Sequence, residues 1–422
     1  MSKGYYTLTR ITDYGPYVTK IILPLGTTVK AEAVSADGFS VYVERLDELG
    51  NPLLLPKSWM AQDDKEESKG YIPVLKAYPS DLKGNCLEAG DCVTLEMAYG
   101  PLYQLSSCIS APAGLNVYVK MRYTVTQTAS IETETGKLAG LVFDYSLGAY
   151  TPDSDGFIND TSSYEEPINY GYFIPQVRNA GPRPLLIWLH GAGEGGVDPT
   201  VAYTGNKVVA LASEKVQALF GGAYVLAPQT KTFWMNDGSG QYGTTGKSMY
   251  VKALKACIDE FVEKNPGIDR DRIYIGGDSN GGFMTMRMVL DYPAYFAAAF
   301  PVCEALYDDT ITDEALQKIA HLPIWFTHAK NDPVVKPEAT VVPTYERLVK
   351  AGNKNAHFTF WDKIEDIHEG FVDANGKPFE YIGHFAWIPM LNDDCRVDYD
   401  GKPVVVNGKE VTLLEWLSLQ HK

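Results

Sequence analysis

No apolar run in the chain approaches the roughly 20 residues that a helix needs to cross a bilayer, which argues against a helical membrane protein. Cysteine is sparse and scattered. The six residues Cys86, Cys92, Cys108, Cys257, Cys303 and Cys395 lack zinc-ligand spacing, so no metal site is expected from them. Buried free thiols are the expected state, with one disulfide among Cys86, Cys92 and Cys108 as the alternative. Positive charge is in the minority. Lys and Arg number 37 against 53 Asp and Glu, a net charge of -16, which argues against nucleic acid or an anionic membrane as partner. The acidic surplus reads as solubility. The polar stretch 153–166 lacks the carboxylate spacing of a calcium loop. The run Gly240-Gln-Tyr-Gly-Thr-Thr-Gly-Lys-Ser248 looks like a phosphate loop, yet Gln241 stands where that pattern requires glycine and no buried strand leads into it. The start, Met1-Ser-Lys-Gly-Tyr-Tyr, has no signal-peptide core, which leaves a cytoplasmic protein or one whose leader has been removed.

What is present suggests two domains. The 422 residues are 45% hydrophobic and 21% charged, enough for two buried cores. Residues 1–125 read as all-β. Strand-like runs at 17–25, 28–34, 39–45, 72–77, 93–99 and 115–123 are separated by Gly, Pro and Asn, the spacing of a β-sandwich. From 126 to 422 the pattern becomes α/β. Strands are expected at 124–131, 141–145, 170–175, 184–189, 223–228, 273–275, 295–302, 322–327 and 357–361, and residues 153–166 as a loop. Helices are expected at 206–220, 248–264 and 283–290, and a closing hairpin and helix at 398–420. Alternating strands and helices make a mostly parallel sheet covered on both faces.

The stretch Arg272-Ile-Tyr-Ile-Gly-Gly-Asp-Ser-Asn-Gly-Gly-Phe-Met284 carries the chemistry. It reads as strand, sharp turn and helix with Ser279 at the apex. Gly277-x-Ser279-x-Gly281 is a nucleophile elbow, whose glycines leave room for a serine in a strained conformation. A serine hydroxyl needs a base, and the base needs a group to orient it. Asp332, just past the strand at 322–327 and followed by Pro333, is the expected acid, although Asn331-Asp332-Pro333 would also suit a turn without catalysis. His384 heads an apolar, helix-like run and is the expected base. His368 stands second, and His357 and His190 read as structural. The oxyanion donors are assigned to the N–H groups of Asn280 and Ala192, with Gly191 or Gly193 as substitutes for Ala192, and Glu194 is expected to stiffen that loop. Trp234 and Glu304, on loops at strand ends, are the substrate-binding candidates.

Leu189-His-Gly-Ala-Gly-Glu-Gly-Gly196, Gly277-Asp-Ser-Asn-Gly281, His328-Ala-Lys-Asn-Asp332 and Gly383-His-Phe-Ala-Trp387 together resemble an α/β-hydrolase. More narrowly, they are similar to bacterial esterases related to the prolyl oligopeptidase and polyhydroxybutyrate depolymerase families, one subgroup of which carries an N-terminal immunoglobulin-like domain. The resemblance covers residues 126–422 by motif order. It implies Ser279, Asp332 and His384 as triad, and a front domain that aids homo-oligomerisation or shields the site; the triad mechanism needs no metal or cofactor. The front is too short for a propeller, which weakens a peptidase reading. The expected activity is that of a serine carboxylesterase on a small-molecule or polymer-linked ester. The alternatives are a serine peptidase, a polymer-directed esterase acting on feruloylated or acetylated polysaccharide or on polyester, and, in another class, a binding protein that uses the β-domain.

Overall fold

The computed structural model describes residues 2–56, 65–112, 114–134, 136–176 and 181–422. The chain divides into two compact units, Met1–Ala113 with Val117–Asp155, and Gly114–Asn116 with Gly156–Lys422.

The first unit is built on one eight-stranded sheet in the order Lys69–Ile72, Phe39–Leu46, Lys120–Gln127, Val142–Tyr150, Ser2–Thr12, Gly15–Lys30, Ala89–Met97, Val74–Ser80. Its strands follow the period-2 rule. Phe39, Val41 and Val43 alternate inward along one strand and join Tyr5, Val93, Leu95, Tyr123 and Phe143 in a single core. Ser2–Leu8 runs parallel to Val142–Tyr150, so the two ends of the unit are paired. That pairing moves the strand expected at 141–145 into the first sheet, and the expected boundary at 125/126 falls inside the strand Lys120–Gln127. Such partners lie far apart in sequence, so a local pattern carries no sign of them.

In the second unit we number the strands β1 (Phe157–Thr161), β2 (Asn169–Phe173), β3 (Arg183–Leu189), β4 (Tyr224–Gln229), β5 (Ile268–Asp278), β6 (Ala298–Val302), β7 (Ile324–Ala329) and β8 (Ala356–Trp361). They form one sheet in the order β1-β2-β4-β3-β5-β6-β7-β8. β1 and β2 are antiparallel to their neighbours, and every pair from β4 through β8 is parallel. Leu185 to Leu189 of β3 are fully buried, the continuous apolar run that a strand covered on both faces requires. The longer helices are α1 (Val251–Lys264), α2 (Asn280–Asp291) and α3 (Val341–Lys350). α1 turns Leu254, Ile258 and Phe261 into the main core.

Three local expectations are corrected. Residues 157–161, expected in a loop, form edge strand β1, where four of five residues are exposed and little apolar signal is needed. The single helix expected at 206–220 is a 3-10 turn, Val208–Ala212, followed by the helix Glu214–Phe220. Ser213 is extended and caps the second segment by accepting from Val216 N–H. The helix after His384 is short, Trp387–Leu391. The closing hairpin turns at Asn407 and Gly408, both at positive φ, before the capped helix Leu413–Ser418. All six cysteines are free; Cys86 is exposed and the others buried.

Candidate active site

β5 ends at Asp278, and Ser279 follows at φ 55 and ψ -112, a conformation that a residue with a side chain rarely adopts. The turn is held from both sides. Ser279 N–H donates to the Val302 carbonyl of β6 at 2.9 Å, and Ser279 O accepts from Phe283 N–H in the first turn of α2. A Cβ on Gly277 or Gly281 would collide with the Leu189 carbonyl oxygen at the end of β3, so the elbow packs against β3 as only glycine allows. Asn280 is the first residue of α2, where backbone N–H groups have no intrahelical acceptor. Its side-chain Oδ1 accepts from Trp234 N–H.

Asp332 lies in the turn after β7 and is buried. Its Oδ1 accepts from Val334 N–H at 2.8 Å and Val335 N–H at 3.1 Å. Its Oδ2 contacts His384 Nδ1 at 2.7 Å and His328 Nε2 at 2.9 Å. Burial alone would raise the pKa of this carboxyl, but the hydrogen bonds from His328 and His384 outweigh it and hold it well below the usual carboxylate range. The backbone bonds fix the plane of the carboxylate, and the two rings share its other oxygen. His328 is fully buried at the end of β7, and its Nε2 also lies 3.2 Å from the Val335 carbonyl. With two acceptors at Nε2, the proton belongs on that nitrogen. His328 stands within the motif that ends at Asp332 and was not expected to contact it. The available signal was its place at the buried end of β7, four residues before the acid.

The loop after β3 carries Ala192, Gly193 and Glu194 in one 3-10 turn. His190, at its start, accepts from Thr230 N–H through Nε2 at 3.1 Å and packs on the Trp234 ring at 5.1 Å. Burial pushes its pKa down to about 4, which keeps it neutral and structural. Glu194 is buried and accepts from the Asn116 side chain at 2.8 Å. Trp234 and Glu304, expected as substrate contacts, present no free surface, being 0% and 1% exposed. Trp234 supports Asn280 from below, and Glu304 Oε2 accepts from Leu306 N–H at 2.7 Å. His368 pairs with Asp394 at 2.7 Å, and His357 with Asp398 at 2.6 Å, so neither shares the Asp332 carboxylate. Burial raises the pKa of Glu194, and the charge of His384 opposes that rise. Among the described residues no group of three or more His, Cys, Asp or Glu is placed to hold a metal ion.

The strand order, with a serine bent out at the end of β5 and an acid at the end of β7, defines an α/β-hydrolase. Residues 176–369 match the phospholipase/carboxylesterase family, and residues 4–140 match the esterase Ig-like N-terminal domain. Residues 176–369 are thus similar to phospholipases and carboxylesterases, and residues 4–140 to the Ig-like domain that precedes such a hydrolase in esterases. A probable carboxylesterase, SOBER1-like, from Arabidopsis thaliana is 26% identical over 195 residues, 38% of this chain and 65% of that protein. The match therefore spans just under two thirds of the relative's length. The crystal structure of a thermostable esterase, 24% identical, aligns over 100% of both chains with a TM-score of 0.75, a likeness of fold.

Proposed function

We propose that the protein hydrolyses carboxylic esters through an acyl-enzyme. Ser279 Oγ attacks the ester carbonyl while His384 Nε2 takes its proton. Asp332 accepts from Nδ1–H, orients the ring and stabilises the imidazolium. The N–H groups of Ala192 and Asn280 receive the tetrahedral oxyanion. Collapse expels the alcohol, which takes the proton from His384. Water, activated by the same histidine, then releases the acid and restores Ser279. The observation that carries this reading is the 2.7 Å contact of His384 Nδ1 with Asp332, which dedicates Nδ1–H to the carboxylate and leaves Nε2 for the serine's proton. The substrate is a small-molecule or polymer-linked ester, and homo-oligomerisation through the Ig-like domain is part of the proposal, to be checked by sedimentation.

Ser279→Ala is expected to lower hydrolysis of a p-nitrophenyl ester by about 10⁴-fold or more, with no labelling by a fluorophosphonate probe. Turnover retained by that variant would refute the nucleophile. His384→Ala should be as damaging, and His368→Ala should remain within a few-fold of wild type; the reverse ranking would overturn the choice of base.

A further inference from the structure

The buried carboxyls of Asp278 and Glu194 have no place in the mechanism above, yet they join its two halves. Asp278 is the last residue of β5, next to the nucleophile, and Glu194 belongs to the turn that carries Ala192. They are 1% and 6% exposed. Gly191 lies beside both: a Cβ there would stand 2.6 Å from Asp278 Oδ2 and 2.9 Å from Glu194 Oε2, so the two carboxyls face the same glycine. A Cβ on Gly205 would stand 2.9 Å from Glu194 Cγ, so a second glycine makes room for the acid. The donors that reach the pair are neutral amides, the backbone N–H groups of Glu194 and Asp278 and two side-chain carboxamides. Asn206 Nδ2 donates to Asp278 Oδ2 at 3.0 Å, Asn116 Nδ2 donates to Glu194 Oε1 at 2.8 Å, and Asn206 also bonds Glu194. The Trp188 indole N–H is near Asp278 without good hydrogen-bond geometry. The titratable groups facing the pair are His384 and Tyr242 on the Glu194 side and Cys303 on the Asp278 side.

We propose that Asp278 and Glu194 share a single proton, and that this bond clamps the loop of residues 190–196 to the nucleophile elbow. Amide donors satisfy lone pairs but do not neutralise charge, and two buried carboxylates facing one glycine cannot both ionise cheaply. Burial raises the pKa of both groups, and that of Asp278 is raised further by the charge of Glu194. The proton belongs to the pair. With it in place, repulsion becomes a hydrogen bond, and the Ala192 and Asn280 N–H groups are held at a set separation. Its loss at alkaline pH drives the loop from the elbow, so transition-state stabilisation fails while substrate still binds. Both residues are positioning residues in this scheme.

The inference rests on the oxyanion assignment above, so its test has a readout independent of turnover. In full-length Ser279→Ala protein, infrared spectra at neutral pH should contain a protonated-carboxyl band that disappears in both Glu194→Gln and Asp278→Asn but persists in Glu304→Gln. In the active enzyme, Glu194→Ala should lower kcat at least tenfold with KM little changed. Glu194→Gln should restore much of kcat and move its alkaline limb upward. A spectrum in which neither substitution removes a carboxyl band, or an alkaline limb identical in wild type and Glu194→Gln, would overturn the clamp. Failure of the triad assignment would leave the infrared result untouched.

Discussion

Glu304 follows Cys303, a residue at positive φ, at the end of β6, and its Oε1 has no partner among the described residues. Burial pushes its pKa up to about 8. A carboxyl raised in this way favours the fold fully below the unfolded pKa of about 4.3, and the benefit is lost as pH rises through about 8. Glu304→Gln should therefore match wild type in urea unfolding near pH 5 and exceed it near pH 9 by on the order of a few kcal/mol. Parallel curves at both pH values would show that Glu304 does not stay protonated in the fold. Asp332 has the opposite sign. Its carboxylate is held low, so its contribution is present above the unfolded pKa and lost only as pH falls through the lowered one. Asp332→Asn should lower kcat by about 10⁴-fold, because the amide no longer selects the Nδ1–H tautomer of His384. Ser279, Asp332 and His384 could be nominated from the sequence because each sits in a short motif whose place in the chain is ordered. The second ring on Asp332 Oδ2 comes from His328, only four residues away, but no short motif marks it as a partner of the acid, and the facing of Glu194 on Asp278 joins residues far apart in the chain.

Among the elements, the buried strands were the most legible. Leu185 to Leu189 and residues 324–329 of β7 are apolar enough to announce themselves. Edge strand β1 and the Ser2–Thr12 strand were missed because their identity depends on a partner rather than on their own pattern. β3 and the start of α2 pack closely, backbone on backbone. Gly281→Ala would press a methyl group into the Leu189 carbonyl. We expect a loss of about 3 kcal/mol in chemical unfolding and a collapse of esterase activity with it. A variant that unfolds at the wild-type urea concentration would mean that the elbow can slide away from β3. At the far end, Thr412 and Glu415 cap the last helix reciprocally, so Thr412→Ala should cost about 1 kcal/mol without changing kcat.

On the scale of the whole chain, two separate cores account for two units, each with its own sheet. The change from all-β to α/β composition was visible along the sequence. The inclusion of Gly114–Asn116 in the second unit was not, since nothing in the tripeptide Gly-Leu-Asn marks it as belonging with residues beyond 156. Asn116 N–H donates to the Gly193 carbonyl at 2.6 Å, and its side chain donates to Glu194. Asn116→Ala should lower kcat about tenfold with KM nearly unchanged, since one lost hydrogen bond to a buried charged or polar group is worth about 1–3 kcal/mol; equal kcat in the two proteins would remove Asn116 from the oxyanion support. The segmentation has a practical corollary for anyone who would rebuild this enzyme from parts. The hydrolase is not a cassette that begins at residue 156: a chimera grafting it behind a foreign front would have to carry the Gly-Leu-Asn tripeptide along, and during synthesis that tripeptide leaves the ribosome well before the loop it is destined to brace.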